Sequence, residues 1–212
     1  RPVAEGQAAV HPHVIGHVGG NRRIGQERMH ALDAGVNKII LGMGGSATVD
    51  GGIGILQALG IRFLKKDGKE VIIAADLVDV EYINPAELDP RVLRTEIIVL
   101  CDVQNLLVGP AGAATVFGPQ KGVREEDFSA FEQALSSLAS FFPTEIAVTP
   151  GAGAAGGLGF GLMAFCGARL VSGFGIVSEL LKLEESVAAA DLIVTGEGSL
   201  DEQTLNGKGP HG

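Results

Sequence analysis

Apolar positions from Ile24 onward recur at helical spacing and stop at Gly35, which predicts a helix to Ala34 with the glycine as its cap. Lys38 to Leu41 is a short apolar run of the kind that makes a buried strand, and it empties directly into a glycine loop. Ile53 to Leu59 reads as the helix after that loop. Ile61 to Leu64 and Glu70 to Ile73 then flank Asp67-Gly68, which predicts a hairpin and hence antiparallel pairing beside the parallel kind. Glu96 to Leu100 is the next buried strand, and Gly109-Pro110 can open a short helix. The clearest amphipathic helix runs from Glu125 to Phe142: Phe128, Phe131, Leu135, Leu138 and Phe142 share one face, so these aromatics belong to the core. Acids at Glu125, Glu126 and Asp127 suit its positive end. Further on, Leu158 to Cys166 predicts a buried helix, Ala168 to Val171 a strand, Ile176 to Ala189 helix broken near Leu183, and Asp191 to Val194 a last strand. Residues 1 to 23 show little periodicity and are expected to be loosely ordered.

Strands alternating with helices give an α/β fold with parallel and mixed sheets and flanking helices. Composition agrees: apolar residues make up 46% of the 212 positions while aromatics make up 5% and glycine numbers 32, so an aliphatic core and close-packed loops are expected. A net charge of −9, with the 16 Lys and Arg dispersed, argues against a nucleic-acid partner. There is no apolar run long enough for a membrane span and no signal peptide, and Cys101 and Cys166 are too few for a disulfide framework, so a cytoplasmic protein with reduced thiols is expected. Cys101 follows an apolar strand with no evident His partner, which favours packing over a nucleophilic role. His11, His13 and His17 have metal-like spacing, but without Cys or adequate acids an incidental cluster is favoured.

Glycine loops after strands hold anions, because glycine lets the main chain approach a ligand and the next helix offers its amides. Three such segments occur, at residues 42–52, 150–161 and 195–209. Gly42 to Ala47 fits the dinucleotide pattern G-x-G-x-x-A, with Asp67 as the distant acid, but that acid falls in a hairpin turn. No Walker loop and no protein-kinase motif set is present. The parts that phosphoryl transfer needs do have candidates. Gly44, Gly45, Ser46 and Thr48 can donate to phosphate, and Gly153 and Gly156 sit in the second loop. Asp50, Asp102, Glu197 and Asp201 supply carboxylates, and Lys121 and Lys208 cations. Against each stands a structural reading: Ser46, Thr48 and Asp50 as caps of the helix near Gly51, Asp102 as a cap for the following turn or helix, the lysines as solvated side chains.

Four ordered stretches, Gly44 to Gly52, Cys101-Asp102-Val103 with Phe117 to Gly122, Pro150 to Gly157, and Gly196 to Thr204, resemble the type I glycerate kinase family over Ala31 to Lys208. That resemblance implies ATP-dependent phosphorylation of D-glycerate, with the 2-hydroxyl as the expected acceptor, Mg²⁺ as the metal, and a cleft between two α/β domains. It also implies catalytic roles for Asp50, Asp102, Asp201 and Lys208, and metal binding by Asp102 and Glu197. ATP is then expected on Gly44, Gly45, Ser46, Thr48, Gly153, Gly156 and Lys121; which residue is the base stays open. On this reading residues 1–30 are an atypical segment, 31–190 the family's α/β domain, and 191–212 the start of a truncated Rossmann-like domain. Ser199 stands where many relatives carry Arg, and relatives extend further at both ends, so nucleotide binding by these 212 residues alone is expected to be poor. The alternatives are an NAD-dependent oxidoreductase, from the two dinucleotide-like patterns, and a non-catalytic module or inactive fragment.

Overall fold

The structure is a computed structural model, and it describes residues 30–43, 46–194 and 196. At its centre β1 (Lys38–Gly42), β4 (Glu96–Leu100) and β5 (Arg169–Val171) form a parallel sheet in the order β1-β4-β5. Lys38 pairs with Glu96 and Gly42 with Leu100, while Ile98 to Leu100 pair with Arg169 to Val171. The middle strand is covered on both faces, which is why Ile97, Ile98 and Val99 are all buried and its sequence lacks alternation. Sheet order places the carboxyl ends of β1 and β4 side by side, with the loops that follow them at one edge.

The antiparallel pairing is a separate two-stranded sheet of β2 (Arg62–Lys65) and β3 (Val80–Asn84). The expected turn forms at Asp67-Gly68: Gly68 has φ +79° and its N–H donates to the Lys65 carbonyl at 2.9 Å. The return arm, however, pairs only briefly. Val71 donates to Phe63 and is buried, but Ile72 and Ile73 face solvent and the chain enters a 3-10 turn at Ala74–Asp79. Over its length β2 is paired by β3 instead, whose exposed Glu81 and Tyr82 weaken the strand signal in the sequence.

The helices pack around these sheets. α1 (Ile53–Ala58) buries Ile53, Ile55 and Leu56; α2 (Ala113–Phe117) follows Gly109-Pro110 after a turn. α3 (Phe128–Ala139) is shorter than the periodicity suggested, because Glu125–Asp127 form a 3-10 turn and the helix ends before Phe142. Leu135 and Leu138 are fully buried, as expected. Beyond α4 (Thr144–Ala147) comes α5 (Ala154–Cys166), regular from Leu158 after a left-handed entry at Ala155, Gly156 and Gly157. Phe142 meets Phe160 and Phe165 edge-on at 5.8 and 4.7 Å, and Phe165 meets Phe63 at 5.6 Å, so one aromatic cluster ties the end of α3 to α5 and β2.

α6 (Gly173–Leu180) begins ahead of Ile176, since Ser172 caps it by accepting the Gly175 N–H at 3.1 Å. Lys182, at φ 51°, separates it from α7 (Leu183–Ala188), the break expected near Leu183. Residues 191–194 are not a strand: Leu192 and Val194 are 80% and 86% exposed, and among the described residues no backbone pairs with them. At the other end, residues 30–33 are helical and Gly35, at φ +71°, closes the turn as expected. Both cysteines are buried, and they do not form a disulfide with each other. Among the described residues no helix is long and apolar enough to cross a membrane.

Candidate functional site

A cleft of about 570 Å³ opens over the carboxyl ends of β1 and β4, the edge at which open α/β sheets bind ligands. Met43, Ser46 and Ala47 from the first glycine loop form one wall, Phe117, Gln120 and Lys121 another, and Val103 and Ala155 the remainder. Pro119 opens the 3-10 turn that carries Lys121, and Gly122 closes it with φ +83°. The lysine is therefore presented from a short rigid turn.

Lys121 reaches the loop after β1. Its Nζ donates to Ser46 Oγ at 2.6 Å and to the Thr48 carbonyl at 2.8 Å, although these residues lie more than 70 positions away in sequence. Beneath them sits Asp50, 6% exposed and the one buried charged side chain among the described residues. Asp50 Oδ1 accepts the Gly52 N–H at 2.9 Å. Burial pushes the carboxyl up from its ordinary value, while bonds from Gly52 and the Thr48 side chain and the charge of Lys121 act the other way. Burial also lowers Lys121, to about 8, against the opposing pull of Asp50. Burial disfavours the charge on both groups, and each opposes that effect on the other.

The second glycine loop has a different position from the one its composition suggested. The Gly156 carbonyl accepts the Gly51 N–H at 3.0 Å, and a Cβ on Gly156 would fall 1.9 Å from the Thr48 carbonyl oxygen. At Gly153 a Cβ would fall 2.1 Å from the Leu106 carbonyl oxygen, and its N–H already donates to Asn105. Both glycines lie against protein backbone: Gly156 supports the Ser46–Asp50 loop, and Gly153 packs on Asn105 and Leu106. Ala155 takes a left-handed conformation at φ 52° where it lines the cleft, a strain that clusters at functional sites.

Asp102 lies on the far side of Val103, in a neighbouring hollow of about 360 Å³ formed with Gln104, Pro150 and Ser172. Its Oδ1 accepts from Ser172 Oγ at 3.1 Å, Gly173 N at 2.8 Å and Phe174 N at 3.2 Å. It therefore caps α6, not the turn that follows it in sequence. Burial raises the Cys101 thiol, whose Sγ donates to the Val103 carbonyl at 3.3 Å, in keeping with a packing role. Among the described residues no three His, Cys, Asp or Glu side chains gather as a metal cage.

Of the sequence-derived site residues, Ser46, Thr48, Asp50 and Lys121 converge in one place and Asp102 lies next to it. Gly44, Gly45, Glu197, Asp201 and Lys208 fall outside the described residues, as do His11, His13, His17 and Ser199. Sequence reasoning missed the α6 terminus behind Asp102, for which Ser172-Gly173 after an apolar run was the available signal, and missed Ala155. Asp67 sits in an exposed turn with Lys69 2.8 Å away, not at the end of a parallel strand, so the acid required by the dinucleotide reading is absent from its place.

The profile of the glycerate kinase family matches residues 21–212, starting ahead of the Ala31 limit set by the motifs. A glycerate kinase from Halalkalibacterium halodurans is 45% identical over 89% of this chain and 51% of its own length. A glycerate 2-kinase from Escherichia coli is 44% identical over 91% of this chain and 52% of its own. A crystal structure from Salmonella typhimurium LT2, described as a glycerate kinase 2, superposes with a TM-score of 0.76 at 45% identity, covering 88% of this chain and 51% of that one. The chain thus spans about half the length of the relatives it matches.

Proposed function

The chain belongs to the glycerate kinase family, and from that premise we propose that the protein carrying it transfers phosphate from ATP to D-glycerate, on the 2-hydroxyl. The observation that supports this reading best is that Ser46 and Lys121, bonded to each other and anchored on the Thr48 carbonyl, line one cleft at the carboxyl edge of the parallel sheet. Phosphoryl transfer asks the protein for positioning and for compensation of charge rather than covalent chemistry. A lysine ammonium and a serine hydroxyl on a glycine loop supply both to an anionic group, whether a phosphate or the acid's carboxylate.

Mg²⁺ would neutralise charge on the phosphates. A magnesium ion bound through phosphate and water needs only one or two protein carboxylates, and Asp102 fits that demand, being exposed and holding its three bonds on Oδ1. Asp50 does not fit it, since its carboxylate is buried. Glu197 is proposed as the second carboxylate and Asp201 and Lys208 as further catalytic groups, all from the family resemblance.

A coupled assay for ADP tests the reading. The expected result is ADP formation that depends on D-glycerate, with 2-phosphoglycerate as product. Lys121→Met should weaken ATP or glycerate binding roughly 10- to 100-fold, the worth of a charge-assisted hydrogen bond of about 1.5–3 kcal/mol. ADP release indifferent to D-glycerate would overturn it.

A further inference from the structure

Asp50 is the acid that the first glycine loop offers most visibly for catalysis, yet its surroundings point elsewhere. It is 6% exposed, and the cleft is lined by Ser46, Ala47 and Lys121 but not by Asp50. One oxygen accepts the Gly52 N–H, the Thr48 side chain also bonds the carboxylate, and the charge of Lys121, anchored on Ser46 and Thr48 of the same loop, acts on it. A group so enclosed has no free approach to a substrate hydroxyl, which a general base must reach within hydrogen-bond distance.

We propose that Asp50 is a positioning residue, whose buried carboxylate fixes the Lys121 ammonium and the Ser46–Thr48 loop in the arrangement the cleft presents and never meets the ligand. Lys121 has three N–H donors, and Ser46 Oγ and the Thr48 carbonyl take two of them. A desolvated ammonium is costly unless an opposite charge accompanies its hydrogen bonds. Asp50 and Lys121 act on each other as opposite charges. The pair therefore works as a unit, with the lysine at the cleft and the acid behind it. This rests on the reading of the cleft as the phosphate or glycerate site, but its test does not need that ligand.

The test is side-chain NMR titration of the 212-residue chain. In the unaltered protein Lys121 should titrate at about 8. Asp50→Asn keeps an acceptor for Gly52 and removes the charge, and the Lys121 midpoint should fall by about one unit, as expected when an opposite charge at close range is lost. The reciprocal variant, Lys121→Met, should raise the Asp50 carboxyl midpoint, and it covers the case in which Asp50→Asn does not fold. Unchanged midpoints in either folded variant overturn the proposal, as does an Asp50 carboxyl that shifts directly on adding ATP or D-glycerate to the Lys121→Met chain. Failure of the kinase reading would leave both midpoint shifts in place.

Discussion

At Lys121, burial and a facing carboxylate pull in opposite directions, and burial wins, leaving the ammonium at about 8 instead of its ordinary value near 10.5. The sign of the consequence follows from proton counting. Between pH 8 and 10.5 the unfolded chain holds more protons on this lysine than the folded one, so its contribution makes stability rise with pH across that window. Urea midpoints measured from pH 7 to pH 10 in the parent and in Lys121→Met should diverge accordingly, the parent gaining relative to the variant. The lysine itself was legible in the sequence as the lone cation of a tight glycine loop. Its partners were not, because no local pattern connects Lys121 to Ser46 and Thr48, and Thr48-Val49-Asp50-Gly51-Gly52 reads equally well as an exposed cap and as the buried support it proves to be.

Among the elements, the left-handed entry to α5 has the largest influence on the cleft. A side chain at Gly156 needs both a conformation that L-residues avoid and space held by the Thr48 carbonyl. Gly156→Ala should cost at least about 2 kcal/mol. Gly60→Ala meets the Glu87 carbonyl at 1.9 Å with φ +100° and should cost a similar amount. The two should differ in NMR: the first displaces the Lys121 resonance by moving Thr48, while the second, on a turn remote from the cleft, leaves it in place. The helix α3 was readable from its periodicity and the central strand β4 from its unbroken apolar run. The elements misread were those held by distant partners: β3, paired through residues with weak alternation; α6, whose start depends on Ser172 and Asp102; and residues 191–194, apolar enough for a strand but unpaired among the described residues.

For the whole molecule, apolar packing outweighs the surface charges. Glu96 joins Lys38 at 3.4 Å and Arg169 at 2.6 Å across the amino ends of β1, β4 and β5, yet all three side chains are at least 40% exposed. Glu96→Ala should therefore change stability by no more than about 1 kcal/mol. Phe160, fully buried against Phe142, should cost about 3–5 kcal/mol as alanine. Denaturant unfolding of the two variants checks the contrast.

The bond from Gly51 to the Gly156 carbonyl joins segments that are far apart along the chain but touch through their backbones, with no side chain between them to absorb a mismatch. Grafting is constrained as a result. A chimera that imports residues 43–52 from a relative must import residues 151–161 from the same donor, since neither piece carries its own template.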